Sequence, residues 1–332
     1  MVALPTRAKQ NTTGPRPIKL HRDTSQVVEL LAVAFDLPLR RAHNYYQLVP
    51  EFGYGALVNR LKGQAIHPPG FVWEENGRIV ANVSFIPTNT TGYYFIANVG
   101  VHPNFRRQGI AYRLMEETIQ WARQHHEQSL FLQVDEKNIG AIHLYEALGF
   151  DHMGAVTTWR NAEDGYPPRL SMPPLRRNPD EFEGFTIQPL GAEQWREAYA
   201  LDTRILGREF GVPSLLKPDL YKRSWRNWWQ DFLLGTSSEN WAAVTPSHEL
   251  IGLAQIKSEW ARPHTLKLRL HPDWQERATR PLLAKLLRRL RYLGRANISL
   301  PHPTADATAH NLFSEARLTA HQTLLFMRLD LN

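Results

Sequence analysis

The sequence predicts an α/β (α+β) chain of two tandem domains, each a mixed, mostly antiparallel sheet flanked by helices. Three observations carry this. Between Tyr93 and Phe150 an apolar run, a basic turn, an amphipathic stretch, a second apolar run and a short periodic stretch follow one another, which reads as strand, turn, helix, strand, helix. Ahead of them, two strand-like runs flank Asn76-Gly77, a dipeptide suited to a tight hairpin turn. Behind them the order returns in weakened form. Leu270-His271-Pro272-Asp273-Trp274 matches Val101-His102-Pro103-Asn104-Phe105 at an offset of about 169, and Ala309-His310-Asn311-Leu312-Phe313 matches Ala141-Ile142-His143-Leu144-Tyr145 at about 168.

Composition sets the limits. A chain of 332 residues, 42% hydrophobic and 21% charged, suits two globular domains. No apolar run approaches the roughly 20 residues of a membrane span, and the opening MVALPTRAKQNTTGPRP lacks a signal-peptide core, so no membrane partner and a cytoplasmic location are expected. The absence of cysteine excludes disulfides, thiolate metal sites and a cysteinyl acyl-enzyme; no metal is expected. A net charge of +7 favours anionic partners, but the arginines from Arg277 to Arg295 read as the solvated face of a helix, which makes nucleic acid an unlikely partner.

Taken in order, residues 1–15 are expected to be a disordered tail. The first domain, residues 16–163, should open with a strand at Ile18–His21 and a helix from Ser25 to Phe35 capped by Thr24 or Ser25. Residues 36–69 are rich in aromatics, proline and glycine, and Tyr45, Tyr46, Phe52 and Tyr54 are either pocket lining or packing. Strands follow at Phe71–Trp73, Ile79–Phe85 and Phe95–Val101. Next come a helix with apolar positions Ala111, Leu114, Met115, Thr118, Ile119 and Ala122, a strand at Leu130–Val134, and a short helix from Asn138 that stops at Gly149. Met153–Trp159 supplies a last strand. The proline-dense residues 164–183 are expected to be a linker.

The second domain, residues 184–332, should contain a strand at Phe185–Pro189, a helix around Gln194–Leu201 and a hairpin of Ala242–Val244 with Leu250–Ile256. Pro301 and Pro303 are expected to interrupt the strand equivalent to Leu130–Val134, because proline gives no ladder N–H. Ser224-Trp225-Arg226-Asn227-Trp228-Trp229 is either a core cluster or an aromatic wall of a site.

The turn Arg106-Arg107-Gln108-Gly109-Ile110-Ala111 closes on a helix start, where free N–H groups and the positive end of the helix dipole suit a pyrophosphate. Gly109 and Ala111 leave the backbone from Arg107 to Tyr112 uncovered, and Arg106 and Arg107 add charge. This turn resembles the R-x-x-G-x-G/A loop of the GCN5-related N-acetyltransferase (GNAT) superfamily. Asn138-Ile139-Gly140-Ala141-Ile142-His143-Leu144-Tyr145-Glu146-Ala147-Leu148-Gly149-Phe150 resembles its N-x-x-A-x-x-L-Y-x-x-x-G-F signature. The tandem arrangement is similar to that of mycothiol synthase-like acetyltransferases, with the competent copy here at the N-terminus. In the second copy Ala278 takes the glycine position, Glu276 would repel phosphate, and Phe313 replaces Tyr145.

The resemblance implies acetyl-CoA as cosubstrate and transfer of acetyl to an amine. It places the cofactor along Val99, Gly100 and Val101 and against Arg106, Arg107, Gln108, Gly109, Ile110, Ala111 and Tyr112, with Asn138 near the parting of two strands. Tyr145 becomes the general acid for the departing thiolate. Ribosomal-protein alanine acetyltransferases commonly carry glutamate at the position of Gln133, which leaves Asp135, Glu136, a water chain or an already neutral acceptor to settle the amine's proton. Three acceptor readings stay open: a small-molecule amine, a peptide or protein N-terminus, and a non-catalytic acetyl-CoA- or nucleic-acid-binding module.

Overall fold

The computed structural model describes residues 13–39, 70–88, 90–162, 181–210, 236–259, 263–293 and 297–331. Tyr45, Tyr46, Phe52, Tyr54, Ser224–Trp229 and nearly all of the expected linker lie outside them. The chain divides into two compact units that are not contiguous in sequence. One comprises Met1–Gln133, Gly140–Asp151 and Arg328–Asn332, the other Val134–Ile139 and His152–Met327.

The first unit contains β1 (Gly14–Pro17), α1 (Leu20–Ala34), β2 (Gly70–Glu75), β3 (Arg78–Pro87), β4 (Tyr93–Val101), α2 (Ile110–Gln124), most of β5 (Ser129–Asp135) and most of α3 (Ile139–Ala147). Its strands run in the order β1-β2-β3-β4-β5, antiparallel except for the parallel pair β4 and β5. The chain's last residues also belong here: Leu331 N–H donates to the Gln128 carbonyl at 2.9 Å, and Ser129 Oγ to Asp330 at 2.5 Å.

The unit's core follows the helical spacing. Ile110, Leu114, Met115, Thr118, Ile119 and Ala122 form the buried face of α2. Phe85 stacks on Tyr94 at 4.2 Å and meets the edge of Trp121 at 5.2 Å. Val27, Val28 and Leu31 of α1 pack with Val72 and Ile79.

The start of α1 departs from the expected strand at Ile18–His21 and from a cap at Thr24 or Ser25. The strand lies earlier, at Gly14–Pro17, and the helix begins at Leu20. The cause is Asp23, a fully buried carboxylate. It accepts the Lys19 N–H at 2.8 Å and the Arg16 guanidinium at 2.6 and 3.0 Å, while Arg16 also donates to Glu74 at 2.6 Å. A side chain one turn inside the helix therefore satisfies a backbone N–H at its start, as in a capping box.

The second unit holds most of β6 (Asp151–Asn161), β7 (Glu181–Phe182), β8 (Phe185–Pro189), α4 (Trp195–Phe210), β9 (Thr236–Val244), β10 (Leu250–Glu259), β11 (His264–Leu270), α5 (Gln275–Leu290), β12 (Ile298–Pro303), α6 (Ala307–Glu315) and most of β13 (Leu318–Asp330). Its strand order is β13-β6-β12-β11-β10-β9-β8-β7, with β11 and β12 parallel. Leu266, Leu268, Leu282, Leu283, Leu286 and Phe313 anchor its core. The helix expected at Gln194–Leu201 extends to Phe210. Among the described residues no helix is long and apolar enough to cross a membrane.

Pro301 and Pro303 do not interrupt β12. Both sit in register with β6, opposite Thr158 and Val156. Thr304 N–H donates to the Ala155 carbonyl of β6; by alternation the nitrogens of Pro301 and Pro303 face the other edge, where the pairing with β11 has already ended at Ser299. No ladder bond is forfeited.

The Asp23 pair makes a pH-dependent contribution. Burial alone would raise the Asp23 carboxyl, but the hydrogen bonds from Arg16 and Lys19 and the charges of Arg16 and Arg22 outweigh it, so the group lies below its ordinary value. A depressed carboxyl stabilises the fold above the unfolded-state value and ceases to do so as pH falls through the folded one. Asp23→Asn should lower stability by on the order of 3 kcal/mol at neutral pH, with the deficit shrinking in acid. Urea unfolding at both pH values checks this, and an undiminished deficit in acid would assign the loss to packing.

Candidate active site

The site begins with one extra residue in β4. Ser84 pairs with Ala97, but Asn82 pairs with Gly100, so two steps along β3 face three along β4. Asn98 takes the surplus with φ of +53°, a left-handed conformation that asparagine tolerates better than most residues. The parallel pairing with β5 runs from Tyr93–Ser129 to Ile96–Leu132 and stops just before this bulge. His102 N–H donates to Val80 of β3; by alternation the N–H groups of Val99 and Val101 face the opposite edge, where β4 has no ladder partner among the described residues. The sequence expectation places the cofactor arm along this strand.

After β4 the chain makes a short 3₁₀ turn at Pro103–Phe105. Arg106 then folds back: its Nε donates to the Val101 carbonyl at 3.1 Å and its Nη2 to the Ala34 carbonyl at 2.9 Å. This guanidinium ties the end of β4 and the end of α1 to the loop, while its charge remains at the loop. Arg107 and Gly109 both have positive φ, +63° and +72°. Gly109 is the N-cap of α2 and Arg113 N–H returns to its carbonyl at 3.0 Å. Ile110, Ala111 and Tyr112 form the first turn, whose N–H groups have no carbonyl one turn back in the helix. No acidic residue lies in that turn, so nothing opposes a phosphate there. The side chains of Arg107 and Gln108 are exposed.

A Cβ at Gly109 would meet nothing within 4 Å. Backbone conformation, not crowding, therefore demands glycine.

The second signature has a physical reading as a helix end. Phe150 N–H donates to the Tyr145 carbonyl at 3.0 Å and Gly149 N–H to the Glu146 carbonyl at 2.9 Å, with Gly149 at φ +87°. This is the Schellman motif. Tyr145 and Phe150 also meet edge to face at 6.0 Å, the apolar contact that accompanies the motif. The spacing Leu-Tyr-x-x-x-Gly-Phe thus fixes the ring of Tyr145. That residue is 5% exposed, and burial pushes its phenol well above the ordinary tyrosine value, leaving it protonated at neutral pH.

Asn138 immediately precedes α3, and its N–H donates to the Asp135 carbonyl at 2.8 Å. Asp135 is itself engaged: Oδ1 accepts the Lys137 N–H at 2.9 Å and Oδ2 the Gln322 amide at 2.7 Å. Gln133 is exposed. A buried polar cluster of Asn82, Ser84 and Asn98 at the bulge escaped the sequence reading; its visible signals are the asparagines inside the apolar runs Val80-Ala81-Asn82-Val83 and Ile96-Ala97-Asn98-Val99.

The second unit does not repeat these features. β11 pairs with β10 without a register shift from Thr265 to Leu270, and no described residue from His271 to Thr279 has positive φ. Ala278 is fully buried, and the first turn of α5 carries Glu276. A hollow of about 600 Å³ over that helix start is lined by Asp273 and Glu276 beside Arg277, charges unsuited to pyrophosphate. Lys267 and Arg269 of β11 both donate to the buried Asp202 of α4.

Residues 38–150 match the family model described as the Acetyltransferase (GNAT) family. Over 73 residues, 22% of this chain and 42% of the other, the sequence is 34% identical to streptothricin acetyltransferase A of Bacillus subtilis (strain 168). Over 68 residues, 20% of this chain and 46% of the other, it is 34% identical to the ribosomal protein bS18 alanine N-acetyltransferase of Escherichia coli (strain K12). The chain spans less than half the length of these curated relatives. Among solved structures, a tandem GNAT protein from the clavulanic acid biosynthesis pathway superposes with a TM-score of 0.59 at 16% identity, covering 97% of this chain and 99% of that one. A GCN5-related N-acetyltransferase from Sphaerobacter thermophilus gives 0.64 at 16% identity, covering 96% and 95%. These likenesses show the tandem GNAT fold.

Two glycines separate the contributions of backbone and space. Gly109→Ala should cost about 1–2 kcal/mol because alanine must adopt the left-handed conformation. Gly140→Ala, in the helix α3 and equally open, should stabilise by about 0.5–1 kcal/mol. Thermal unfolding of both variants checks the pair.

Proposed function

We propose that this tandem GNAT chain is an acetyl-CoA-dependent N-acetyltransferase whose first unit moves acetyl directly to the primary amine of a small molecule. The observation that carries the reading is the conjunction of three features in one unit: the β4 edge released at the bulge, the acid-free N–H cradle from Arg107 to Tyr112, and a buried protonated Tyr145. Acetyl-CoA supplies an activated thioester carbonyl. The first turn of α2, with the charge of Arg106 and Arg107, would hold its pyrophosphate. Val99, Gly100 and Val101 would pair with its arm, and an N–H of the released edge would stabilise the oxyanion. Asn138 would bond the cofactor beside α3.

The amine nitrogen attacks the carbonyl carbon, the C–N bond forms and the C–S bond breaks. Tyr145 gives its proton to the departing thiolate and recovers one from the amine's excess through water. A glutamine at position 133 cannot take a proton, and Asp135 is held by two hydrogen bonds. In this reading the acceptor reacts as its free base, in preference to a proton route through the exposed Glu136 or a water chain. Gln133 in place of glutamate, together with the match to a protein named as a streptothricin acetyltransferase, favours a small molecule over a ribosomal peptide.

CoA release from acetyl-CoA should be measured across polyamines, aminoglycosides, amino acids, streptothricin and N-terminal peptides. Tyr145→Phe should bind acetyl-CoA as wild type does and lose most turnover, by about 100-fold or more; undiminished turnover removes Tyr145 from the mechanism. For the best acceptor, kcat/KM should climb with pH toward the amine's own pKa, about 10 for an alkylamine. A plateau set by an enzyme carboxylate would restore a general base. Turnover confined to peptides would move the acceptor to a protein N-terminus.

A further inference from the structure

Helix α1 ends in a turn that three helices of this chain share, and it alone places an acid there. Phe35 N–H donates to the Leu31 carbonyl at 3.0 Å and Leu37 N–H to the Ala32 carbonyl at 2.8 Å, with Leu37 packed on the α1 core, so the chain turns back through a left-handed residue. That residue is Asp36, with φ of +50°. At the corresponding place after α2 stands His126 with φ of +55°, and after α6 Arg317 with +61°. Basic groups suit the negative end of a helix dipole; a carboxylate opposes it. No basic residue in the last turn of α1 offsets Asp36, and its exposed side chain has no hydrogen bond or ion pair among the described residues. The turn itself would be better served by glycine or asparagine. A charge kept in a strained conformation against the local field points to a use outside the fold.

Its position is specific. The neighbouring Phe35 is 43% exposed, yet one edge of its ring rests on Gly100 of β4: a Cβ there would lie 3.5 Å from Cε2 and 3.6 Å from Cζ. Arg106 fastens the same end of α1 to the end of β4, through the Ala34 carbonyl at 2.9 Å and the Val101 carbonyl at 3.1 Å. The exposed ring and the exposed carboxylate are therefore held beside the stretch of β4 that lies beyond its pairing with β5.

We propose that Phe35 and Asp36 form a subsite for a second, non-reacting ammonium of the acceptor, so that the first unit selects amines with at least two basic groups. This rests on the acetyltransferase reading above. The reacting nitrogen must shed its proton, and a carboxylate would only hold that proton in place. A second nitrogen keeps its proton and its charge. Its ammonium meets the Asp36 carboxylate, while the adjoining methylenes and the charge lie against the ring of Phe35. A di- or polyamine supplies both nitrogens, whereas a monoamine leaves the subsite empty.

CoA release and calorimetric binding should be compared for putrescine and n-butylamine, which share a four-carbon chain, in wild type, Asp36→Asn and Asp36→Gly. Both substitutions suit a positive φ, so thermal unfolding should show variants at least as stable as wild type. Wild type should favour putrescine by about tenfold in kcat/KM, and less at high ionic strength. In both variants that preference should fall to the statistical advantage of two nitrogens, while turnover of n-butylamine and the KM for acetyl-CoA stay unchanged. Phe35→Leu should weaken putrescine by about threefold. An undiminished putrescine preference in both Asp36 variants overturns the subsite and leaves the acetyltransferase reading standing. If wild type releases CoA with no amine, that reading fails and calorimetry still decides the subsite. Putrescine binding that is lost in Asp36→Asn supports it; equal binding, or none in wild type, overturns it.

Discussion

The parting of β4 from β5 is the constraint on which the first unit depends. A parallel pair that continued beyond Ile96–Leu132 would consume the backbone groups of Val99 and Val101 in a ladder and leave nothing for a ligand. The extra residue at Asn98 ends that pairing, and a bulge is costly unless its surroundings over-determine it. Asn82 supplies part of that support by bonding the Asn98 carbonyl in place of the missing ladder contact. Arg106 supplies more from the other end of the strand, through Val101 and Ala34.

Two further pieces are local in origin. The loop from Arg106 to Ala111 consists of left-handed residues followed by a helix start without acid, so it presents N–H groups wherever the sheet places it. The short helix α3 ends in a Schellman motif that locks Tyr145 against Phe150. In both, a string of a dozen residues or fewer specifies its own backbone. What α3 acquires from the fold is burial, which raises the phenol of Tyr145 above the ordinary tyrosine value.

The second unit shows such a fold without the bulge and the left-handed loop. Its parallel strands β11 and β12 also part after a short pairing, but prolines face the open edge and β11 carries no bulge. On the side of β11 that faces α4, the charges of Lys267 and Arg269 are spent on Asp202. The core has been retained, with Phe313 fully buried where the first copy has a tyrosine. Packing constrains volume closely and chemistry only loosely, so apolar replacement leaves a stable shell.

The sequence by itself determined the order of elements from Tyr93 to Phe150, the basic, glycine-containing turn before α2, the helix stop at Gly149 and the duplication, because each is written in residues a few positions apart. It placed the first strand and helix poorly, since the start of α1 is decided by Asp23 meeting Arg16 and Glu74 across the chain. It misjudged Pro301 and Pro303 for the same kind of reason: whether a proline breaks a strand depends on which edge its nitrogen faces and whether a neighbour is there. The cluster of Asn82, Ser84 and Asn98 could not be assembled from the sequence because its members are drawn from two strands and only register brings them together. Local patterns fix local backbone; the free energy of a buried charge or an unpaired carboxamide is set by neighbours that only the tertiary structure supplies.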